Sequence, residues 1–109
     1  MKTLTLLAPI CCSPGTPPLP RESAEELART LKALADPTRV AIVNRLSKTD
    51  EVCVCDLTDA FALSQPTISH HLRILREARL IDVERRGTRA FYRLVPETIG
   101  ALHAAFDAS

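Results

Sequence analysis

The chain has 109 residues, of which 46% are hydrophobic and 25% are charged, with 14 basic against 13 acidic side chains. This length predicts one globular domain, and so small a domain buries only about two-thirds of the surface that its unfolded chain exposes, so a second copy is expected to add stability. Three Gly, one Tyr, three Phe and no Trp argue against a turn-rich β-sandwich and against a surface on which bases or sugars stack. The composition is that of a mainly helical protein.

The net charge of +1 hides an uneven distribution of charge along the sequence. Residues 65–93 hold seven basic and three acidic side chains, whereas residues 1–64 hold seven basic and eight acidic ones and residues 94–109 hold two acidic ones. A basic block within a nearly neutral protein is typical of a chain that binds a polyanion. Nucleic acid is therefore the expected partner.

Residues 1–22 are predicted to form an extended arm. They contain five of the eight prolines and the adjacent pair Cys11 and Cys12, and a proline-rich segment has no core of its own. The apolar run over residues 3–10 resembles a signal peptide only weakly, because it is short and contains a proline. No stretch approaches the roughly 20 apolar residues that span a bilayer. We therefore expect a cytoplasmic protein with no membrane partner, whose cysteines remain free thiols.

Two helices are predicted between residues 23 and 47. The first begins at Ser23 and carries leucines at helical spacing. The dipeptide Asp36-Pro37 starts the second, because Asp is a good N-cap and Pro suits the first helical position. The residues expected to face inward are Leu27, Leu31 and Leu34 on the first helix and Val40, Val43 and Leu46 on the second.

A short helix and a longer one follow, joined by a tight turn. The short helix is predicted from Cys55 or Asp56 to residue 61 and the longer one from about residue 64 to residue 78, with Pro66 in its first turn. This is the helix-turn-helix arrangement, in which the second helix enters the major groove and its polar side chains contact base edges. One such side chain alone is more often a cap or a solvated residue, so the prediction rests on the set. The candidates for contact with DNA are Ser64, Gln65, Thr67, Ser69, His70 and Arg73.

The end of the sequence predicts a β-hairpin and a last helix. Residues 81–86 begin with apolar side chains that alternate with charged ones, and residues 89–94 are rich in β-forming residues. A glycine turn lies between the two segments. The last helix, residues 96–106, has an apolar face that is expected to pack against a second copy of the chain. Arginines flank the hairpin turn, so the hairpin is a candidate wing that neutralises phosphates or enters the minor groove. They are Arg85, Arg86 and Arg89.

Together these elements predict a mainly α fold with a small β-hairpin. Residues 23–109 are expected to form a winged helix-turn-helix domain that binds double-stranded operator DNA and forms a homodimer through its N- and C-terminal helices.

Three sequence motifs resemble those of the ArsR/SmtB family of bacterial metal-responsive repressors. They are KALADPTR at residues 32–39, CVCDL at 53–57 and SQPTISHHL at 64–72, and the resemblance covers residues 24–106. It implies a dimeric winged-helix repressor that releases its operator on binding a thiophilic ion. Such a protein is not an enzyme and takes no small organic substrate. Arg79 departs from the family, which usually has glycine after the recognition helix, so the turn is expected to differ there.

The inducer implied by the resemblance depends on the thiols, because soft thiolates select soft ions. The segment that contains Cys53 and Cys55 is similar to the site of arsenic sensors, whose three-cysteine version has its third thiol where this chain has Thr58. Sensors of the actinobacterial type instead carry an adjacent cysteine pair on an N-terminal arm. The resemblance thus implies arsenite, As(III), or Sb(III) as the inducer. Its ligands would be Cys11, Cys12 and Cys55, with Cys53 as the alternate, and a position at a helix N-terminus favours the thiolate of Cys55.

Two alternatives of the same architecture remain open. Family members that sense Cd(II) or Pb(II) join arm cysteines to a Cys-Val-Cys-Asp segment, which would use all four thiols, although their arm cysteines are usually spaced apart. In a thiol redox switch, Cys53 or Cys55 would instead be oxidised against an arm cysteine. A thiol enzyme is disfavoured, because the sequence has neither a Cys-x-x-Cys motif nor a glycine loop for phosphate.

Overall fold

The computed structural model describes residues 17–107, which form five helices and three strands. In chain order they are α1 (Arg21–Ala33), α2 (Pro37–Leu46), β1 (Val52–Cys53), α3 (Val54–Phe61), α4 (Gln65–Glu77), β2 (Ile81–Arg86), β3 (Arg89–Leu94) and α5 (Pro96–Ala105). The predicted mainly α fold with one β-hairpin is confirmed. Cys11 and Cys12 lie outside the described residues. Between residues 17 and 107, no helix has both the length and the apolar character needed to cross a membrane.

The first two helices begin where local hydrogen bonds satisfy their backbone. Helix α1 starts at Arg21, before the predicted start at Ser23, because the Ala24 amide donates to the Pro20 carbonyl at 2.9 Å and an exposed Arg21–Glu25 ion pair of 3.3 Å reinforces the first turn. Helix α2 starts as predicted. The Asp36 carboxylate accepts from the amides of Thr38 and Arg39 at 2.9 and 3.1 Å, which satisfies donors that a helix N-terminus leaves unpaired.

The helix-turn-helix is confirmed in α3 and α4. A left-handed residue, Ala62 at φ 54°, ends α3, and Ser64 caps α4 by accepting from the Thr67 amide at 3.4 Å. The buried face of α4 is the predicted one. It consists of Ile68, Leu72 and Leu75, each at most 1% exposed.

The inward faces of α1 and α2 differ from the prediction. Val40 is 50% exposed and Leu31 is 42% exposed, so neither lies in the core. On α2 the buried residues are Ile42 and Leu46, which are four apart and place Val40 off the buried stripe. On α1 the buried residues are Thr30 and Ala33, and the predicted Leu34 packs, partly buried, against the core, so only Leu31 and Val40 depart from the predicted faces.

The three strands form an antiparallel sheet in the order β1-β3-β2. The hairpin of β2 and β3, here called the wing, turns at Gly87, whose φ of 62° suits glycine. Strand β1 is absent from the prediction, because it has only two residues and its partners are distant in sequence. It pairs Val52 with Tyr92 and Cys53 with Phe91. The backbone of Cys53 is therefore joined to the inner strand of the wing.

The turn after α4 keeps a conformation that glycine favours. Arg79 has φ 62°, in the left-handed region that costs a residue with a Cβ atom energy. The Leu80 amide donates to the Leu75 carbonyl at 3.0 Å, and the Thr98 hydroxyl donates to the Arg79 carbonyl at 2.6 Å. Arg79 therefore adopts a conformation that glycine would adopt without strain.

The last helix packs partly on its own domain. Ile99 and Leu102 are half-buried against the core. This corrects the expectation that the apolar face of the last helix packs against a second copy rather than against its own domain. Phe106, just after α5, is 66% exposed. Phe106 is therefore more available to a partner than Ile99 or Leu102.

Candidate DNA-binding surface and thiol site

Two cysteines meet where β1 passes into α3. Cys53 is the last residue of β1 and the N-cap of α3, and its Sγ accepts from the Cys55 amide at 3.3 Å. Cys53 is 7% exposed, whereas Cys55, in the first turn, is exposed. The extended backbone of Cys53 followed by helical Cys55 puts both side chains on the same side of the chain. Their environments differ, so Cys55 is the more accessible sulfur.

The structure joins Cys53 and Cys55 in a disulfide, with their Cα atoms 5.4 Å apart. Free thiols at both positions stay a prediction for the reduced protein. Side chains two residues apart lie on nearly opposite sides of a regular helix, but Cys53 is extended and precedes the helix, and this change of backbone conformation at the cap brings the two sulfurs together. The disulfide has to be reduced before either sulfur can bind a soft metal ion.

Cys53 and Cys55 are the two described sulfurs that the sequence predicts as metal ligands. One carboxylate oxygen of Asp56 and both Sγ atoms all lie within 4.8 Å of one another. Thr58 supplies a hydroxyl rather than a thiol, and that hydroxyl donates to the Cys55 carbonyl at 2.9 Å. Two thiolates suit a soft ion. The further ligands predicted, Cys11 and Cys12, lie outside residues 17–107.

The recognition helix α4 presents a polar surface to solvent. Its N-cap hydroxyl, on Ser64, lies 2.9 Å from the Thr67 hydroxyl, so these two side chains hold each other at the helix start. His71 is half-buried, with the Arg39 guanidinium 3.3 Å from its Nδ1, so it packs against the domain. The predicted DNA contacts that are exposed are Ser64, Gln65, Thr67, Ser69, His70 and Arg73.

The wing arginines fall into two groups. Arg86 donates two hydrogen bonds to Glu51 and one to Glu84, at 2.7, 2.6 and 3.0 Å, and its guanidinium lies 4.6 Å over the Phe91 ring. The bonds to Glu51, and then those to Glu84, raise the pKa of Arg86 above its ordinary value. Arg85 and Arg89 are exposed, and neither forms an ion pair with any residue from 17 to 107.

The same contacts act on the acidic partner. The hydrogen bond from Arg86, followed by its charge, lowers the pKa of Glu84, and Arg93 contributes a further hydrogen bond at 3.3 Å. This cluster could not be predicted from the sequence, because Glu51 lies 35 residues from Arg86 and no local pattern links the two. The wing is thereby tied to the segment before β1.

One cleft of about 470 Å³ connects the thiol site with the DNA-facing elements. It lies between the start of α3, the first turns of α4 and the wing. Its lining includes Cys53, Cys55, Gln65, Ser69, Arg85 and Arg89. The candidate metal ligands and part of the candidate DNA surface therefore share one space, hereafter the thiol cleft.

Comparison with known proteins identifies the family. Residues 36–83 match the family described as bacterial regulatory protein, arsR family. The arsenical resistance operon repressor of Bacillus subtilis is 41% identical over 85 residues, which are 74% of this chain and 81% of that protein. This chain belongs to the ArsR family. The repressor SmtB of Mycobacterium tuberculosis is 38% identical over 97 residues, which are 89% of this chain and 70% of that protein.

Solved structures of ArsR proteins share the fold. One is a homodimeric winged helix-turn-helix DNA-binding domain from Mycobacterium bovis, a possible ArsR-family transcriptional regulator. It aligns with a TM-score of 0.66 at 31% identity over 82% of this chain and 83% of that one. As an ArsR protein, the chain is a DNA-binding transcriptional regulator and not an enzyme, as predicted.

Proposed function

We propose that this ArsR protein is a cytoplasmic repressor that binds operator DNA as a homodimer and releases it when thiolates bind trivalent arsenic or antimony. The observation that carries the proposal is the pair of sulfurs, Cys53 and Cys55, at the root of the helix-turn-helix and open to its DNA-facing cleft. Release would derepress a resistance operon. Relatives named as arsenical resistance operon repressors support arsenic over other soft ions.

The proposed ligands are Cys11, Cys12 and Cys55, with Cys53 as the alternate. A trivalent arsenic ion has a lone pair and takes three thiolates in a pyramid. Exposure supports Cys55 as the described ligand, whereas Cys53 is nearly buried and its sulfur already accepts the Cys55 amide. Thr58 supplies no thiol, so Cys11 and Cys12 are the remaining thiols in the sequence.

On the DNA, α4 would enter the major groove of each half-site. Gln65, Ser69 and Arg73 are exposed along it and offer donors and acceptors to base edges. Arg85 and Arg89, which no described carboxylate neutralises, would hold phosphates beside the groove. Half-sites are expected about one helical turn apart with twofold symmetry.

The surface of α1 and α5 supports dimerisation through these helices. Leu31 and Phe106 are large exposed apolar side chains, and a groove of about 570 Å³ between the two helices is lined by Leu27, Ala101 and Ala105, among others. An exposed apolar surface of this kind marks an interaction site. The homodimeric relative from Mycobacterium bovis supports a second copy as the partner.

The proposal is tested by titrating arsenite into the complex of reduced protein and a duplex from its own promoter region, followed by fluorescence anisotropy. We expect release by wild type and by the control Thr58→Ser. Cys55→Ser and the double variant Cys11→Ser/Cys12→Ser should keep wild-type DNA affinity but fail to release. Arsenite that leaves the wild-type complex intact, or cysteine variants that no longer bind DNA, would contradict it. X-ray absorption of the bound ion separates three sulfur ligands from the four expected of a Cd(II) or Pb(II) sensor.

A thiol redox switch is the second candidate, and the disulfide between Cys53 and Cys55 favours it. Hydrogen peroxide would oxidise the two thiols to the disulfide and would itself be reduced to two waters. The bond lies within the Cys-x-Cys segment rather than between that segment and Cys11 or Cys12. Release of Cys11→Ser/Cys12→Ser by peroxide but not by arsenite would establish this switch, and wild-type DNA binding that peroxide does not alter would eliminate it.

A further inference from the structure

We infer that Arg39 is a positioning residue for operator recognition, because its guanidinium joins the end of α1 to the recognition helix α4. Its Nε donates to the Ala33 carbonyl at 2.6 Å, and its Nη1 lies 3.3 Å from Nδ1 of His71. Arg39 itself belongs to α2, so one side chain links three helices. The inference rests on the proposed function, in which α1 and α5 join two copies and α4 enters the major groove.

The contact with Ala33 satisfies the end of a helix. Ala33 is the last residue of α1 and is buried, and the final carbonyls of a helix have no partner within it. A positive charge at this end is also favourable, because the helix dipole leaves partial negative charge there. Both buried residues of α1, Thr30 and Ala33, lie in its last turn. The attachment of α1 to its own domain is therefore concentrated where Arg39 binds.

The contact with His71 reaches α4 from the side opposite its candidate DNA contacts. A guanidinium group only donates hydrogen bonds, so Nδ1 of His71 accepts and the neutral ring carries its proton on Nε2. His71 is half-buried, whereas its neighbours His70 and Arg73 are exposed and available to DNA. Arg39 thus holds α4 without occupying the surface that would read the bases.

This link matters in a dimer, where the separation of the two recognition helices depends on the angle between α1 and α4 in each copy. The connection from α1 to α2 spans only residues 34–36, and α1 carries Leu31, an exposed apolar side chain proposed for dimer contact. Without the Arg39 guanidinium, α1 keeps its backbone connection but loses its hydrogen-bonded link to α4. We expect each copy still to read one half-site, while two copies no longer match two half-sites one helical turn apart.

Duplexes with one and with two half-sites test this role. Both come from the protein's own promoter region, and one arm of the twofold site is scrambled in the single-site duplex. For Arg39→Met, the Kd for the two-site duplex should rise by about tenfold, as for one lost hydrogen bond to a charged group, while the Kd for the single-site duplex stays unchanged. Arg39→Lys should show the same selective loss, because an ammonium group cannot reproduce the planar two-point geometry. The matched control is Arg45→Met, at an exposed arginine of the same helix, which should leave both Kd values unchanged.

The acceptor on α4 gives an independent check. His71→Leu removes Nδ1 and should also weaken binding to the two-site duplex alone. Because the two side chains form one link, the double variant Arg39→Met/His71→Leu should bind no more weakly than Arg39→Met. Additive losses in the double variant would overturn the inference.

Three other results would also overturn it. They are an equal loss of affinity for both duplexes, which general damage to the fold produces, full affinity in Arg39→Lys, and a salt slope lowered by about 1 in Arg39→Met, which would mean a direct phosphate contact. No arsenite is present, so each of these results leaves the proposed inducer standing. A wild-type protein that binds the two duplexes equally would instead contradict the homodimeric binding in the proposed function.

Discussion

Glu51 and Arg86 form a two-point ion pair, with Nη1–Oε1 and Nη2–Oε2 distances of 2.7 and 2.6 Å. Bidentate pairs of this type constrain the orientation of the guanidinium group and also neutralise its charge. The pair joins the residue before β1 to the wing, and Glu84 accepts from the same guanidinium at 3.0 Å. Arg86 lies beside Arg85 and Arg89 in the sequence. Because Glu51 and Glu84 bind its guanidinium, we expect Arg86 to hold the wing in place rather than to contact phosphate.

The salt dependence of DNA binding should separate these arginines. Each phosphate contact contributes about 0.9 to the slope of log K against log salt concentration. Arg85→Ala and Arg89→Ala are each expected to reduce the slope by about 1 per affected contact, whereas Arg86→Ala should leave it unchanged, because two carboxylates already neutralise that charge. Anisotropy titrations from low to high salt measure the slopes. A reduction by Arg86→Ala equal to the other two would contradict this division.

Replacing Arg79 with glycine should stabilise the fold. Arg79 has φ 62°, and relief of the left-handed strain is worth about 1 kcal/mol, less the greater freedom of glycine in the unfolded chain. Urea unfolding at fixed protein concentration measures the gain. Arg79→Ala is the matched control, since it removes the side chain but keeps the Cβ atom and its strain. If both variants were equally stable, strain at this residue would not be the cause.

The corrected orientation of α2 can be checked by two truncations. Ile42 is fully buried, so Ile42→Ala should lower the free energy of unfolding by about 2–5 kcal/mol. Val40 is 50% exposed, and Val40→Ala should change it by no more than about 0.5 kcal/mol. Chemical denaturation of both variants at the same protein concentration measures these two changes. A large loss of unfolding free energy in Val40→Ala would show instead that Val40 is buried in an interface or in the core.

Acid should weaken the start of α2 through Asp36. The hydrogen bond from the Arg39 amide, together with nearby positive charge, lowers the pKa of Asp36 in the folded protein. Its stabilising effect is therefore complete above the unfolded pKa, about 3.9, and is lost as the pH falls through the lower folded value. Asn also caps helices but does not titrate, so Asp36→Asn should show a shallower loss of Tm below pH 4. Identical acid profiles for the two proteins would refute this role.

Local signals account for the part of the fold that could be predicted. The Asp36-Pro37 start of α2, the Ser64 cap of α4 and the Gly87 turn of the wing each involve contacts within a few residues. Strand β1 could not be predicted, because it exists only through its pairing with Tyr92 and Phe91. Leu31 and Val40 were wrongly predicted to face inward, because a leucine or valine pattern has more than one phase compatible with helical spacing.

The candidate site, too, has a part that the sequence predicts and a part that depends on distant contacts. The exposed polar face of α4 follows from its helical period, since the buried stripe fixes the opposite side. The grouping of Cys55 with Arg85 and Arg89 in one cleft depends on how the wing folds back over α3, which no short motif encodes. The bond between Cys53 and Cys55 depends on a change of backbone conformation within three residues.

A single residue, Thr58, separates two possible arrangements of the thiol ligands. Its side chain lines the thiol cleft with Cys53 and Cys55, one helical turn after Cys55. Under the proposed function, a cysteine in its place would complete a three-sulfur set with Cys53 and Cys55 at the start of α3 and make the N-terminal cysteines dispensable. Evolution, or an engineer building a minimal arsenic biosensor, could thus exchange one architecture for the other by a single substitution.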